Sequence, residues 1–202
     1  MISRLWAIAL SFMLMHGGCK PTSDCSELVI KEAPNTPRDS AFRKEFSEYH
    51  NWLLKIFNET PAQSADIPTY HFMYYTAFEY GKSIKFENPA PNNYRLTVKC
   101  IQDTNSLSNC HDYQISIDPG EWNELQLMLN EYDFWTEEQA FRYREALDGS
   151  TMVLEGTRLA PKNCDVKNYQ FLYRRNPTRD KIASLFEEIL FYEESLDLRY
   201  HQ

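Results

Sequence analysis

A chain of 202 residues with 29 acidic against 21 basic side chains carries a formal charge of −8 at pH 7. That balance excludes non-specific nucleic-acid binding, which needs a basic footprint over the phosphates. The 14% aromatic content excludes a disordered chain, and the length suits one sizeable core and so one domain.

Residues 1–4 form a basic start, and residues 5–15 form an apolar run without charge, the two opening regions of a signal peptide. The run falls short of the roughly 20 residues that a membrane-spanning helix needs. Gly17-Gly18-Cys19 follows and resembles the lipobox of bacterial lipoproteins, with His16 where that family usually has Leu, Val or Ile. The resemblance implies removal of residues 1–18 and acyl chains on Cys19, a membrane anchor that several chains make stable where one would not. Lys20, in place of the Asp that retains such proteins at the inner membrane, implies a periplasmic location at the outer membrane. Loss of Arg4 with the signal peptide leaves 20 basic against 29 acidic residues, a mature charge of −9.

With Cys19 lipidated, Cys25, Cys100, Cys110 and Cys164 remain. An even set in an exported chain implies a disulfide framework with three connectivities. Cys100 with Cys110 is preferred, because the two flank a polar loop between strand-like segments, and Cys25 with Cys164 follows by elimination. No Cys-x-x-Cys occurs and His111 is the one histidine near a cysteine, so neither a metal nor another cofactor is expected.

Residues 19–39, interrupted by Pro21, Pro34 and Pro37, read as a lipidated tether, and residues 40–202 as a single globular domain. Ser40 is placed to cap a helix to about Asn58, with Phe42, Phe46, Tyr49, Leu53, Ile56 and Phe57 on one stripe. A strand is expected over 70–80, then a turn at Gly81-Lys82 and a strand over 83–87. After a turn over 88–93, alternation at Tyr94, Leu96, Val98 and Cys100, and again at Tyr113, Ile115 and Ile117, predicts two half-buried strands.

Asp118-Pro119-Gly120-Glu121 has the pattern of a capping box, opening a helix that buries Trp122, Leu125, Met128 and Leu129. A loop with a short helical turn over 137–143 is expected next, then strands over 151–155 and 169–174. A last helix follows, capped by Thr178, with Ile182, Leu185, Phe186, Ile189 and Leu190 as its buried stripe. This order predicts an α+β fold, an antiparallel sheet of about five or six strands with helices packed mainly on one face.

Asp133-Phe-Trp135, the run 148–156 and the run 169–177 ahead of a final amphipathic helix resemble a pattern in uncharacterised bacterial proteins, with Met152 where those often have Trp. The resemblance covers the C-terminal half and implies a fold without an activity. Structural roles account for the motifs: a turn at Asp148-Gly149, a joint at Trp135, and an Arg174–Glu155 pair across adjacent strands.

Ser150 lacks the glycine spacing of a nucleophile elbow. His50, His71 and His111 lie on unrelated elements, and Glu137-Glu138, Glu187-Glu188 and Glu193-Glu194 are sequence neighbours that point to different faces. Arg174, Arg175, Arg179 and Lys181 form a basic cluster best explained as a salt-bridged surface. Tyr70, Phe72, Tyr74 and Tyr75 put aromatics on both faces of one strand, so one face is either a partner-binding surface or covered by helices. The expectation is a non-enzymatic protein that binds a protein partner, such as an immunity protein neutralising an antibacterial toxin. The alternatives are an assembly lipoprotein of an envelope complex, and an enzyme or ligand carrier whose site is dispersed along the chain.

Overall fold

A computed structural model describes residues 37–76, 80–101, 110–137, 142–143, 149–159, 168–175 and 181–200. The elements are helix α1 (Pro37–Ile56), a 3-10 turn (Ala62–Ser64), strands β1 (Thr69–Thr76), β2 (Gly81–Ala90), β3 (Asn93–Ile101) and β4 (Tyr113–Ile117), helix α2 (Pro119–Glu131), strands β5 (Arg142–Tyr143), β6 (Ser150–Arg158) and β7 (Asn168–Arg175), and helix α3 (Lys181–Tyr200). They build one sheet in the order β4-β3-β2-β1-β6-β7-β5. Six strands pair antiparallel, and the two-residue β5 adds to the β7 edge in parallel. The fold is α+β, as the element order predicts.

Side chains alternate across the sheet, and each face has its own core. One face presents Tyr70, Phe72, Ile84, Phe86, Leu96, Val98, Met152, Leu154 and Leu172. Against it lie Trp122, Leu125 and Leu129 of α2 and Ile182, Leu185, Phe186 and Ile189 of α3. The other face presents Met73, Val153 and Tyr173 to Leu53 and Leu54 of α1 and to Phe57 just beyond it. Among the described helices, α2 and α3 therefore share a face, while α1 lies on the opposite one.

Both helices that run into turns end in the same way. Asn58 (φ 51°) and Asp133 (φ 55°) are left-handed, and the next residue reaches back five positions, Glu59 N to Leu54 O and Phe134 N to Leu129 O. This is the Schellman arrangement. It explains the Asp-Phe-Trp motif: Asp133 reverses the chain, Phe134 is driven into the core, and Trp135 packs on Tyr70 with the Arg158 guanidinium 4.4 Å over its ring. Gly156 is required where Phe134 crosses the sheet, since a Cβ there would stand 2.9 Å from both Phe134 and Tyr70.

The capping box at α2 is present, with Asp118 Oδ1 accepting from Glu121 N at 2.9 Å and Glu121 Oε2 accepting from Asp118 N at 2.8 Å. Other local expectations need correction. Ser40 lies inside α1, which starts at Pro37, a residue suited to a first helical turn because it has no N–H to satisfy. Gly81 is already in β2, paired with Tyr75, so Gly81-Lys82 is strand rather than turn, and Thr76 N donates to Tyr80 O. Arg142–Tyr143 is strand rather than helical turn, because it completes the β7 edge. Pro89 cannot donate to the ladder, and the β2–β3 register shifts between Glu87 and Ala90 around it.

Candidate functional site

The α1 face of the sheet is built from His71 on β1, Ser83 on β2 and Glu155 on β6. Strand register sets His71 directly opposite Glu155, and Ser83 is diagonal to it through Met73. His71 Nδ1 lies 3.2 Å from Glu155 Oε1, and His71 Nε2 lies 2.8 Å from Ser83 Oγ. A carboxylate can only accept, so Nδ1 carries the proton toward Glu155, while Nε2 and the Ser83 hydroxyl share the second hydrogen bond. Two further groups converge on the carboxylate. Tyr169 OH donates to Glu155 Oε2 at 3.1 Å from β7, and His50 Nε2 of α1 stands 3.6 Å from Oε1, in electrostatic contact beyond hydrogen-bond reach.

Burial would raise the Glu155 carboxyl, but the imidazoles of His50 and His71 outweigh it and hold the group down at about 2. Burial and the neighbouring Glu155 charge both push the Tyr169 hydroxyl up. The order hydroxyl, imidazole, carboxylate is that of a nucleophile, its base and the group that orients the base. Access is what it lacks. Ser83, His71 and Glu155 are 0–1% exposed, and Ser83 sits in a strand paired on both sides, so its neighbouring N–H groups serve the ladders rather than an oxyanion. In this conformation the cluster acts as a polar tie between α1 and the sheet.

A belt of ion pairs extends the tie. Glu59, just past α1, receives Lys85 and, at 2.6 Å, Lys99, whose ammonium also donates to Phe57 O and Asn58 O. Burial would raise the Glu59 carboxyl, and the two lysines together bring it below its usual range. Arg95 closes on Glu87 at 2.6 Å.

The helical face is organised differently. Its buried acid, Glu193, receives Lys82 and the Tyr113 hydroxyl. Glu121 receives Tyr200 OH at 2.7 Å and Arg199 at 3.1 Å. Outward, Glu124, Glu131, Glu187, Glu188 and Glu194 are exposed. Standing among them are Leu127 (69% exposed), Phe191 (71%) and Leu198 (62%).

Cys100 and Cys110 are disulfide-bonded, with Cα atoms 5.9 Å apart. Cys19, Cys25 and Cys164 lie outside the described residues. Tyr70 and Phe72 are buried under the helices, with Tyr70 OH donating to Gln126 Oε1, so in this fold they face the core rather than a partner. Tyr74 and Tyr75 are half-buried on opposite faces, Tyr74 against Phe186 and Tyr75 against Trp52, whose ring is 5.0 Å away. Arg174 does not pair with Glu155. Opposite Met152 in the register, it points to the helical face and reaches Glu137 at 3.0 Å, so it is buried and leaves the expected basic surface cluster. His50 and His71 do meet, at Glu155, while His111 lies apart beside Tyr113.

Ser83 was not singled out by sequence, and Glu155 was assigned to Arg174 rather than to the histidines. The available signal was a pair of polar residues at buried parities of adjacent strands, His71 between Thr69 and Met73 and Glu155 between Val153 and Thr157. No described helix is long and apolar enough to cross a membrane, and among the described residues no group of three His, Cys, Asp or Glu is arranged to hold a metal ion. No family model matches the chain, and no match is found among curated proteins.

Proposed function

We propose that this chain is a periplasmic lipoprotein, anchored through Cys19, that works by binding a protein partner rather than by catalysis. The observation that carries the reading is an inversion of the usual partition. Groups with nucleophile and base chemistry are sealed inside, while Phe191, Leu198, Leu127 and Trp52 stand 40–71% exposed. Scattered apolar residues are ordinary on a surface, but large ones set on an acidic background are the composition of a recognition surface with selective charge. Neutralising an antibacterial toxin of the envelope, as an immunity protein does, suits such a surface, and so does assembly of an envelope complex.

The test is affinity isolation of the full chain from its own envelope, together with a Cys19→Ser version. One protein partner in fixed ratio is expected, and the variant is expected in the soluble rather than the membrane fraction. Isolation of a small molecule without any protein partner would sink the binding reading.

The Ser83–His71–Glu155 geometry favours one second reading, an enzyme opened by movement of α1. Ser83→Ala separates the two: an enzyme loses turnover, whereas a binding protein keeps its partner.

A further inference from the structure

Charge divides the domain sharply. Helix α2 contains no Lys or Arg, and α3 has only Lys181 and Arg199 at its two ends. Lys181 is 2.5 Å from Asp133 and Arg199 3.1 Å from Glu121, so both basic groups are already engaged. Between them, Glu187, Phe191, Glu194 and Leu198 recur at spacings of four, three and four, which puts them on one ridge of α3. That ridge is the most exposed line of the helix, and it alternates acid with large apolar side chains. On α2, Leu127 stands in the same way between Glu124 and Glu131.

Resting on the partner-binding reading, we propose that the outer surface of α2 and α3 is the docking face, and that its occupant is a basic protein surface with apolar clefts. Phe191 and Leu198 are the anchors, and Glu187, Glu188 and Glu194 select the partner by charge. Charge complementarity decides the occupant. An anionic lipid surface repels this face. A second copy in a two-fold contact would bring the same glutamates against each other. A basic partner gains steering from every carboxylate on the ridge, and burying the apolar side chains holds it once it has arrived.

The experiment places a benzophenone-bearing residue at Phe191 in the full chain, in its native cells, and in parallel at Asn51, which is exposed on α1 across the sheet. Irradiation is expected to give one protein adduct from position 191 and none from 51, with an adducted protein of net positive charge. Glu187→Lys combined with Glu194→Lys, shown by its melting temperature to be folded, is expected to lower the adduct by about tenfold or more. An adduct from position 51 alone would overturn the docking face while leaving the partner-binding reading intact. Adducts only to lipid or to a second copy, or a yield indifferent to charge reversal, overturn the proposed occupant. Absence of any adduct at both positions, with no partner isolated by affinity, brings down both.

Discussion

The two faces of the sheet are held by different forces. The helical face is an apolar core running from β4 to β7, with α2 and α3 lying on it as amphipathic plates. The α1 face has a much smaller apolar contact around Met73, Val153 and Tyr173 and relies on the His50–Glu155–His71 tie and the Glu59 lysine pairs. Apolar burial is nondirectional and insensitive to pH. A buried carboxylate network is directional, and its contribution changes when its groups titrate. Helix α1 thus depends mainly on polar ties, whereas α2 and α3 depend mainly on burial, with the Lys82–Glu193–Tyr113 contacts added beneath α3.

The largest break in that comparison is expected from Phe186→Ala on the helical face. Truncating a fully buried phenylalanine costs about 3–5 kcal/mol, which urea unfolding would register as a lower midpoint. Glu155→Gln on the other face should cost less, about 1–3 kcal/mol, because it keeps the shape and forfeits charge-assisted hydrogen bonds. Its signature is pH dependence. The native carboxyl sits at about 2, below the roughly 4.3 of an unfolded glutamate. Its stabilisation is therefore complete above that unfolded value and disappears as pH falls through about 2. Unfolding of native protein and variant at a series of pH values should show the gap between them narrowing across that window. A constant gap would mean that the Glu155 charge does not contribute to holding α1.

Smaller again is Asp118→Ala, which removes the cap of α2 and should cost about 1 kcal/mol, read as a modest drop in melting temperature. Smallest is Phe191→Ser, expected to change stability by no more than about 0.5 kcal/mol, since the side chain contributes little to the folded core. That null result sharpens the contrast between the buried and the outward sides of α3. A large loss there would instead give Phe191 a structural role.

What could be read from sequence was local. The capping box at Asp118 and Glu121 spans one helical turn, and the alternation at Tyr94, Leu96 and Val98 needs only the pleat of its own strand, so neither depends on distant partners. The Cys100–Cys110 bridge was equally accessible, because the two cysteines are only ten positions apart, near the end of β3 and the start of β4. The polar tie was out of reach. His71 and Glu155 are separated by 84 positions and meet only because β6 pairs with β1 in one register. The same dependence undid the Arg174–Glu155 pairing, since parity across a strand pair cannot be counted until the register is known. Amphipathic periodicity also identified α1 as a helix without saying which face of the sheet it would take.

The sheet order carries a consequence for how the domain comes together. β1 to β4 form a meander of neighbours in sequence, but β1 is an interior strand whose second neighbour, β6, is delivered only after α2 and β5. A chain that emerges N-terminus first, from a ribosome or through a membrane, therefore presents the aromatic edge from Tyr70 to Tyr75 as an unpaired template until β6 arrives. Such an edge invites pairing with other chains. The joint between β1 and β6 is thus the late seam of the domain, and a chaperone that shields the first meander would act there.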